Sequence, residues 1–298
     1  MRSDIVIISH GVHLSAWHFE AETDDLTTPR GRPCVVMAHG LGGTKDSGLE
    51  PYAERFAAAG ADVVLFDYRG FGLSEGHPRQ VVDHRRHRED YHAAVAHARA
   101  LPGVDPDRIV LWGTSNSGGH VIAVAAEDPL IAGVMSQGAA MDGAAAVLNV
   151  WSYGGPRQLL RLTAHAATDI VWSLFNRRPH HVQLAGEPES LAAMSTDDSL
   201  PGYSAIWGPS FVNQMAARGL LLYLLNRPVT RAKRLRMPVH LVIANYDSIA
   251  PTSGMEKVAK RVRGPVRVER LDVGHFDIYL GDAFEQTVKA QTEFLRSL

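Results

Sequence analysis

Residues 109–120, Ile109-Val110-Leu111-Trp112-Gly113-Thr114-Ser115-Asn116-Ser117-Gly118-Gly119-His120, constrain this chain more than any other stretch. An apolar run with β-branched residues reads as a buried strand. It stops at Gly113, and small residues lead at once into the helical pattern Val121 to Ala126. Strand, tight bend and helix together are the setting in which a serine is held on a strained turn with its hydroxyl clear of the backbone. The nucleophile-elbow pattern G-x-S-x-G is met at Gly113 and Ser115, but Ser117 replaces the second glycine, with Gly118 and Gly119 following. A plain Gly/Ser turn would read the same way, so the rest of the chain must decide.

The elements alternate along the chain. Residues 4–9 and 12–20 read as strands joined at Gly11, and a polar loop with Pro29 and Gly31 covers 21–32. Residues 33–38 form a buried strand broken by His39-Gly40-Leu41-Gly42-Gly43, and a helix over 49–60 closes at Gly60. Val63 to Phe66 is the next strand and ends in Asp67-Tyr68-Arg69-Gly70-Phe71-Gly72. Residues 83–101 place Tyr91, Ala94, Val95, Ala98 and Leu101 at helical spacing and stop at Pro102-Gly103. The 109–113 strand with its helix, and a strand over 131–137, continue the pattern. Unbroken apolar strands alternating with helices predict an α/β fold, a mostly parallel eight-stranded sheet covered on both faces. Over 143–228 the alternation stops, leaving helices and loops with no clear strand. It resumes with strand 238–244, helix 253–263, strand 265–271 and helix 282–297. The predicted organisation is a core of residues 1–142 and 229–298 with a helical cap inserted at 143–228.

Composition excludes several classes. Of 298 residues, 45% are hydrophobic and 21% charged, as expected of a globular chain with a sizeable core. A net charge of −2 supplies no basic field for nucleic acid or acidic lipid. Arg85, Arg86 and Arg88 alternate with Asp83, Glu89 and Asp90, and with His84, His87 and His92 they read as an exposed helix face. The 15 histidines are scattered, with neither His-Glu-x-x-His nor a Cys/His cluster of ligand spacing, so no metal is expected. The one cysteine, Cys34, reads as a small buried apolar group in strand 33–38 rather than a nucleophile. No apolar run reaches the roughly 18 residues of a membrane span, and the N-terminus turns polar too soon for a secretory segment. A cytoplasmic, reducing location is expected.

Cleavage of an ester or amide by serine needs a base, a carboxylate to orient that base, and donors for the oxyanion. A parallel sheet gathers such groups beyond the C-terminal ends of its strands. Beyond strand 238–244 stands Asn245-Tyr246-Asp247-Ser248, and beyond 265–271 stands Asp272-Val273-Gly274-His275. Ser115, Asp247 and His275 therefore follow the order nucleophile, acid, base. The glycines around Leu41 let the backbone turn its N–H groups toward the same rim, so the amides of Leu41 and Asn116 are the expected oxyanion donors. Ser117 is a rival nucleophile, although it lies half a turn into the helix without a glycine two residues before it. Asp142, just past strand 131–137, is a rival acid. Asp67 and Arg69 are expected to organise the neighbouring loop by hydrogen bonds and an ion pair, and His39 to prop the oxyanion loop.

Five segments carry a resemblance: His39-Gly40-Leu41-Gly42-Gly43, Asp67-Tyr68-Arg69-Gly70-Phe71-Gly72-Leu73-Ser74, Gly113-Thr114-Ser115-Asn116-Ser117-Gly118-Gly119, Asp247 with Pro251, and Gly274-His275-Phe276. With them the chain resembles the α/β-hydrolase superfamily over essentially its whole length. It is most similar to dienelactone-hydrolase-like and polyketide-modifying serine hydrolases with an insertion cap. The resemblance implies the α/β-hydrolase fold and serine chemistry with no metal or organic cofactor, and it brings macrolactones such as zearalenone among the substrates to consider. That branch carries an aromatic residue after the nucleophile. Asn116 departs from it, which changes the lining of the acyl pocket and keeps the amide donor.

The cap is the guide to substrate. Its Trp151, Trp172, Leu174, Phe175, Trp207 and Leu220 to Leu225 exceed what a small lid needs, and those facing the rim would line an apolar pocket. Gly40, Gly42, Trp151 and Trp207 are the residues expected to meet substrate. The expected function is an esterase or lactonase for a medium-sized hydrophobic small molecule. Alternatives are a thioesterase, a carbon–carbon bond hydrolase, a peptidase, or a non-catalytic receptor on the same fold. No nucleic-acid or membrane partner is expected, and surplus apolar cap surface leaves room for a homodimer.

Overall fold

A computed structural model of the chain describes all residues from 1 to 298. The first half runs β1 (Arg2–Ser9), β2 (Val12–Phe19), β3 (Arg32–Ala38), α1 (Glu50–Ala58), β4 (Asp62–Phe66), α2 (His84–Arg99), β5 (Val104–Thr114), α3 (Asn116–Ala125) and β6 (Gly133–Gln137). Then come α4 (Gly143–Leu174), β7 (His181–Ala185), β8 (Ala192–Met194), α5 (Ser199–Ser204), β9 (Met215–Ala216) and α6 (Arg218–Tyr223). The chain closes with β10 (Val239–Ala244), α7 (Thr252–Arg261), β11 (Val266–Leu271) and α8 (Gly281–Arg296).

Eight strands form one sheet in the order β1-β2-β4-β3-β5-β6-β10-β11. Every pairing from β4 to β11 is parallel, and β1 and β2 add an antiparallel edge. The reason lies in the side chains. All residues of β4, β6 and β10 are buried, which only a sheet covered on both faces permits. In β1, by contrast, Ile7 and Ser9 are buried while Val6 and Ile8 face solvent, the alternation of an edge with one wet face. Cys34 lies wholly inside β3, where burial pushes its thiol pKa up.

The segment between β6 and β10 departs from the sequence reading in one respect: it is not free of strands. β8, β7 and β9 form a small separate sheet beneath the helices. They are 3, 5 and 2 residues long, too short to show a period of two. α4 is interrupted at Gly155, whose φ of 65° and ψ of −173° are not helical, and Pro156 restarts the helix with its fixed φ. At the base of the insertion Gly143 N–H donates to the Asn226 carbonyl at 2.8 Å. Asp142 and Arg227 make a two-pronged ion pair there, at 2.9 and 3.0 Å.

The expected exposed face of α2 is also corrected. Asp83 caps the helix by accepting from the N–H groups of Arg85 and Arg86, but His84 and His87 point inward and are buried. His87 stacks on Tyr68 at 4.1 Å between ring centroids, and His120 of α3 sits edge-on to both His84 and His87. Burial lowers the pKa of all three, that of His84 to about 4, so the cluster is neutral near pH 7. Once unfolded, these imidazoles take up protons near pH 6.5. The unfolded state therefore binds more protons than the folded state below that pH, and stability falls as pH falls from 7 toward 4. Urea unfolding at pH 5 is expected to show a lower midpoint than at pH 7.5, with a smaller difference in His87→Phe, which keeps the stack on Tyr68. Identical midpoints at the two pH values in the parent protein would contradict this account.

Candidate active site

β5 delivers Ser115 to the C-terminal rim of the sheet on a turn with φ 53° and ψ −120°, and α3 starts at the next residue. Gly113 makes the turn sterically feasible, since a Cβ there would lie 2.4 Å from the Ser117 carbonyl oxygen. Ser117 is fully buried, and its hydroxyl accepts from Thr114 N–H and donates to the Ala38 carbonyl, both at 2.8 Å. That hydroxyl braces the bend against β3 and is not presented to the rim.

Two further side chains meet Ser115 there. His275, past the end of β11, places Nε2 3.1 Å from Ser115 Oγ and Nδ1 2.7 Å from Asp247 Oδ2. Facing a carboxylate, Nδ1 carries the proton, which leaves Nε2 as the acceptor toward the serine hydroxyl. Asp247 follows β10, and its Oδ1 accepts from Ile249 N–H at 2.9 Å and Ala250 N–H at 2.6 Å. The side chains of His275 and Asp247 are 3% and 2% exposed, so their contact is shielded from water. Asp142, the rival acid, is instead engaged by Arg227 and caps α4 through Ala144 N–H at 3.2 Å.

The loop after β3 borders the serine. Gly40 is required by proximity, as a Cβ there would stand 3.0 Å from the Ser115 Cβ. His39 Nδ1 donates to the Gly40 carbonyl at 3.0 Å and Nε2 accepts Tyr68 N–H at 3.4 Å, with burial lowering its pKa and keeping it neutral. The Leu41 N–H makes no hydrogen bond within the protein, and the Asn116 N–H, at the first position of α3, has no carbonyl one turn back. Both remain available toward the rim. Sequence reasoning missed Tyr203, whose hydroxyl donates to the Leu41 carbonyl at 3.0 Å and so ties this loop to the insertion.

Asp67 and Arg69 do organise the neighbouring segments, with separate partners. Asp67 accepts Lys45 N–H at 2.6 Å and Leu73 N–H at 3.1 Å and pairs with Lys45 Nζ at 3.0 Å. Arg69 pairs with Asp90 and Ser9. Lys45 is 1% exposed and Asp67 fully buried, so neither charge has water as an alternative partner.

Space opens on two sides of Ser115, where Leu41 and Met194 border both compartments. The larger is walled by apolar side chains such as Val147, Val150, Leu220 and Ile249, with Tyr153 and Tyr223. The smaller includes His275, Ser47, Thr114 and Tyr203. No Asp or Glu lines either one. Of the residues expected to meet substrate, Gly40 lines the smaller compartment. Gly42 packs instead against Leu184, and Trp151 and Trp207 line neither, being 53% and 42% exposed. Trp207 stacks on Phe211 at 5.3 Å between ring centroids.

A family model described as serine aminopeptidase, S33, matches residues 29–276. The chain belongs to this α/β-hydrolase family. It is 37% identical over 297 residues to the quorum-quenching protein AidA of Acinetobacter baumannii, covering 99% of this chain and 94% of that one. It is 29% identical to the thiohydrolase aneE of Aspergillus aculeatus, over 89% of this chain and 86% of that one. The crystal structure of the α/β-hydrolase GrgF from Penicillium sp. sh18 superposes with a TM-score of 0.83 at 24% identity, covering 100% and 98% of the two chains.

The buried pair under the Leu41 loop generates a prediction. Lys45→Met leaves Asp67 charged and without its cation, a loss on the order of 3–5 kcal/mol. A thermal melt should fall by roughly 10 °C for a hydrolase of this size. An unchanged melting temperature would show that the pair does not hold this loop.

Proposed function

We propose that this protein is a serine hydrolase that opens a carboxylic ester or lactone of a medium-sized hydrophobic molecule through an acyl-enzyme on Ser115. The observation that carries the reading is the continuous chain from Asp247 through His275 to Ser115, at 2.7 and 3.1 Å, beside an apolar compartment. His275 takes the serine proton as Ser115 Oγ attacks the carbonyl carbon. Asp247 holds the ring in the required tautomer and stabilises its charged form. The Leu41 and Asn116 amides receive the oxyanion, each contributing on the order of 3 kcal/mol to the transition state. The tetrahedral adduct then collapses, and His275 gives its proton to the leaving alcohol. Water, deprotonated by His275, attacks the acyl-enzyme and releases the acid and free Ser115.

The two compartments suggest how a substrate lies. His275 borders the smaller one, where it can protonate a leaving group and activate water. The larger apolar one then takes the acyl part. In a lactone the two parts stay joined, and the ring spans the serine. A quorum-quenching relative fits a reading in which the substrate is a small diffusible molecule. The thiohydrolase relative supports testing thioesters, which share the acyl-enzyme. Peptide amines are disfavoured although the family is described as serine aminopeptidases, because no carboxylate lines the site to receive an α-ammonium group. No helix is long and apolar enough to cross a membrane, and the single unpaired cysteine fits the reducing cytoplasm.

A screen of aryl esters, short and long acyl esters, lactones of small and large ring, and acyl thioesters tests the proposal. An activated ester should give a burst, and a fluorophosphonate should label Ser115. Ser115→Ala should abolish both signals. Asp247→Asn should lower kcat by a factor of about 10^4, as loss of a triad acid does elsewhere. Asp142→Asn should leave kcat within a few-fold and lower the melting temperature. A crippled Asp142→Asn beside an active Asp247→Asn would overturn the assignment, and absence of any burst or label would favour a non-catalytic receptor.

A further inference from the structure

Beyond Gly155, α4 buries one face against the protein and leaves an apolar face uncovered. Gln158, Leu162, Ala166 and Asp169 form the inner stripe. Gln158 Nε2 donates to the Ser190 carbonyl at 2.8 Å, and Asp169 holds Arg218 at 2.7 and 2.9 Å. On the opposite side stand Leu160, Ala164, Ala167, Val171 and Leu174, spaced four, three, four and three residues apart. That is the narrow a/d seam of a helix meant to pack against another helix. The seam is open to solvent, with Leu160 70%, Val171 51% and Leu174 75% exposed, and Ile170 and Phe175 flanking it at 36% and 72%.

We propose that this outer face pairs two copies of the chain about a two-fold axis, α4 against α4. An antiparallel pair centred between Ala164 and Ala167 sets these small residues against each other and lets the backbones approach closely. Leu160 of each copy then meets Val171 of the other. The same patch serves both partners, as a two-fold interface requires. The five large apolar side chains and two alanines would cover on the order of 700 Å2 per chain, close to the roughly 800 Å2 per partner of a standard interface. No carboxylate opposes the pairing, because Asp169 is the only one between residues 156 and 178 and it faces inward, bound to Arg218. The seam is narrow, and Thr163 and Thr168 border it, which suits a helix better than the wide apolar face of a bilayer-lying helix. Arg157, Arg177 and Arg178 lie at its exposed ends, where two copies bring like charges near one another.

Sedimentation velocity at micromolar concentration tests this. The parent protein should sediment with the mass of two 32.5-kDa chains, and Ala167→Glu with the mass of one while keeping its melting temperature and ester turnover. Higher salt should strengthen the pairing by screening the arginines. Ala167→Cys supplies a second readout that tolerates a poorly folding glutamate variant. Cys34 is fully buried, so oxidation should link two chains through the new thiol, whereas Lys289→Cys on α8 should give no linked dimer. A parent protein of single-chain mass, an Ala167→Glu variant that stays paired, or an Ala167→Cys variant that fails to cross-link would each overturn the proposal. Single chains that co-sediment with phosphatidylglycerol vesicles and are released by salt would replace it with a membrane surface.

Discussion

The left-handed turn at Ser115 is the constraint on which the site depends. A non-glycine residue in such a conformation costs on the order of 1–3 kcal/mol and persists only where its surroundings over-determine it. Here they do. Ser115 N–H donates to the Gln137 carbonyl at 2.9 Å, and its own carbonyl accepts Ala140 N–H at 3.0 Å, so the end of β6 and the loop after it grip the residue on both sides. The Ser117 hydroxyl ties the bend to β3. The strain is thus borne by the three central strands, and the same turn aims Oγ out of the rim. Because β10 and β11 end on that rim, Asp247 and His275 need only short loops to reach it.

Where local pattern decides the outcome, the sequence is readable. Buried parallel strands announce themselves as apolar runs, and β3, β4, β5, β6 and β10 lie where those runs are, while the edge strands β1, β2 and β11 mix polar and apolar residues. Ser115 and Asp247 stand just past such runs, and His275 stands past the mixed strand β11, so all three lie at strand ends on one rim. Choosing between Asp247 and Asp142 was not a local matter. Arg227, 85 residues from Asp142, engages that carboxylate at the base of the insertion, whereas Asp247 lies beside His275. Likewise, the Ser117 hydroxyl is engaged by the Ala38 carbonyl, 79 residues away, a contact that no local pattern announces.

Two misreadings have different physical origins. The charged neighbours of His84 and His87 point to a solvated face, yet both continue the stripe of Tyr91, Ala94 and Ala98 at three- and four-residue spacing. Helical phase outweighs residue polarity there, and it was available in the sequence. The cap offered no comparable signal. Its strands are two to five residues long and alanine-rich. Its pocket is walled by Met194, Leu220 and Tyr223 rather than by the bulkier Trp151 and Trp207. Size alone does not reveal which way a side chain points when the helices carrying it have no fixed partner in the sequence.

The break at Gly155 separates two roles within one cap helix. Before it, Ala146, Val147, Val150 and Tyr153 line the large compartment beside Ser115. After it, the inner face is fastened by Gln158 and Asp169 and the outer face carries the open seam. A straight helix would carry one phase through both halves, fixing the seam's direction by that of the pocket wall. With the non-helical φ/ψ of Gly155 and the restart at Pro156, the second half is free to take its own phase. Side chains in the pocket-lining half can then change without altering the surface beyond the break.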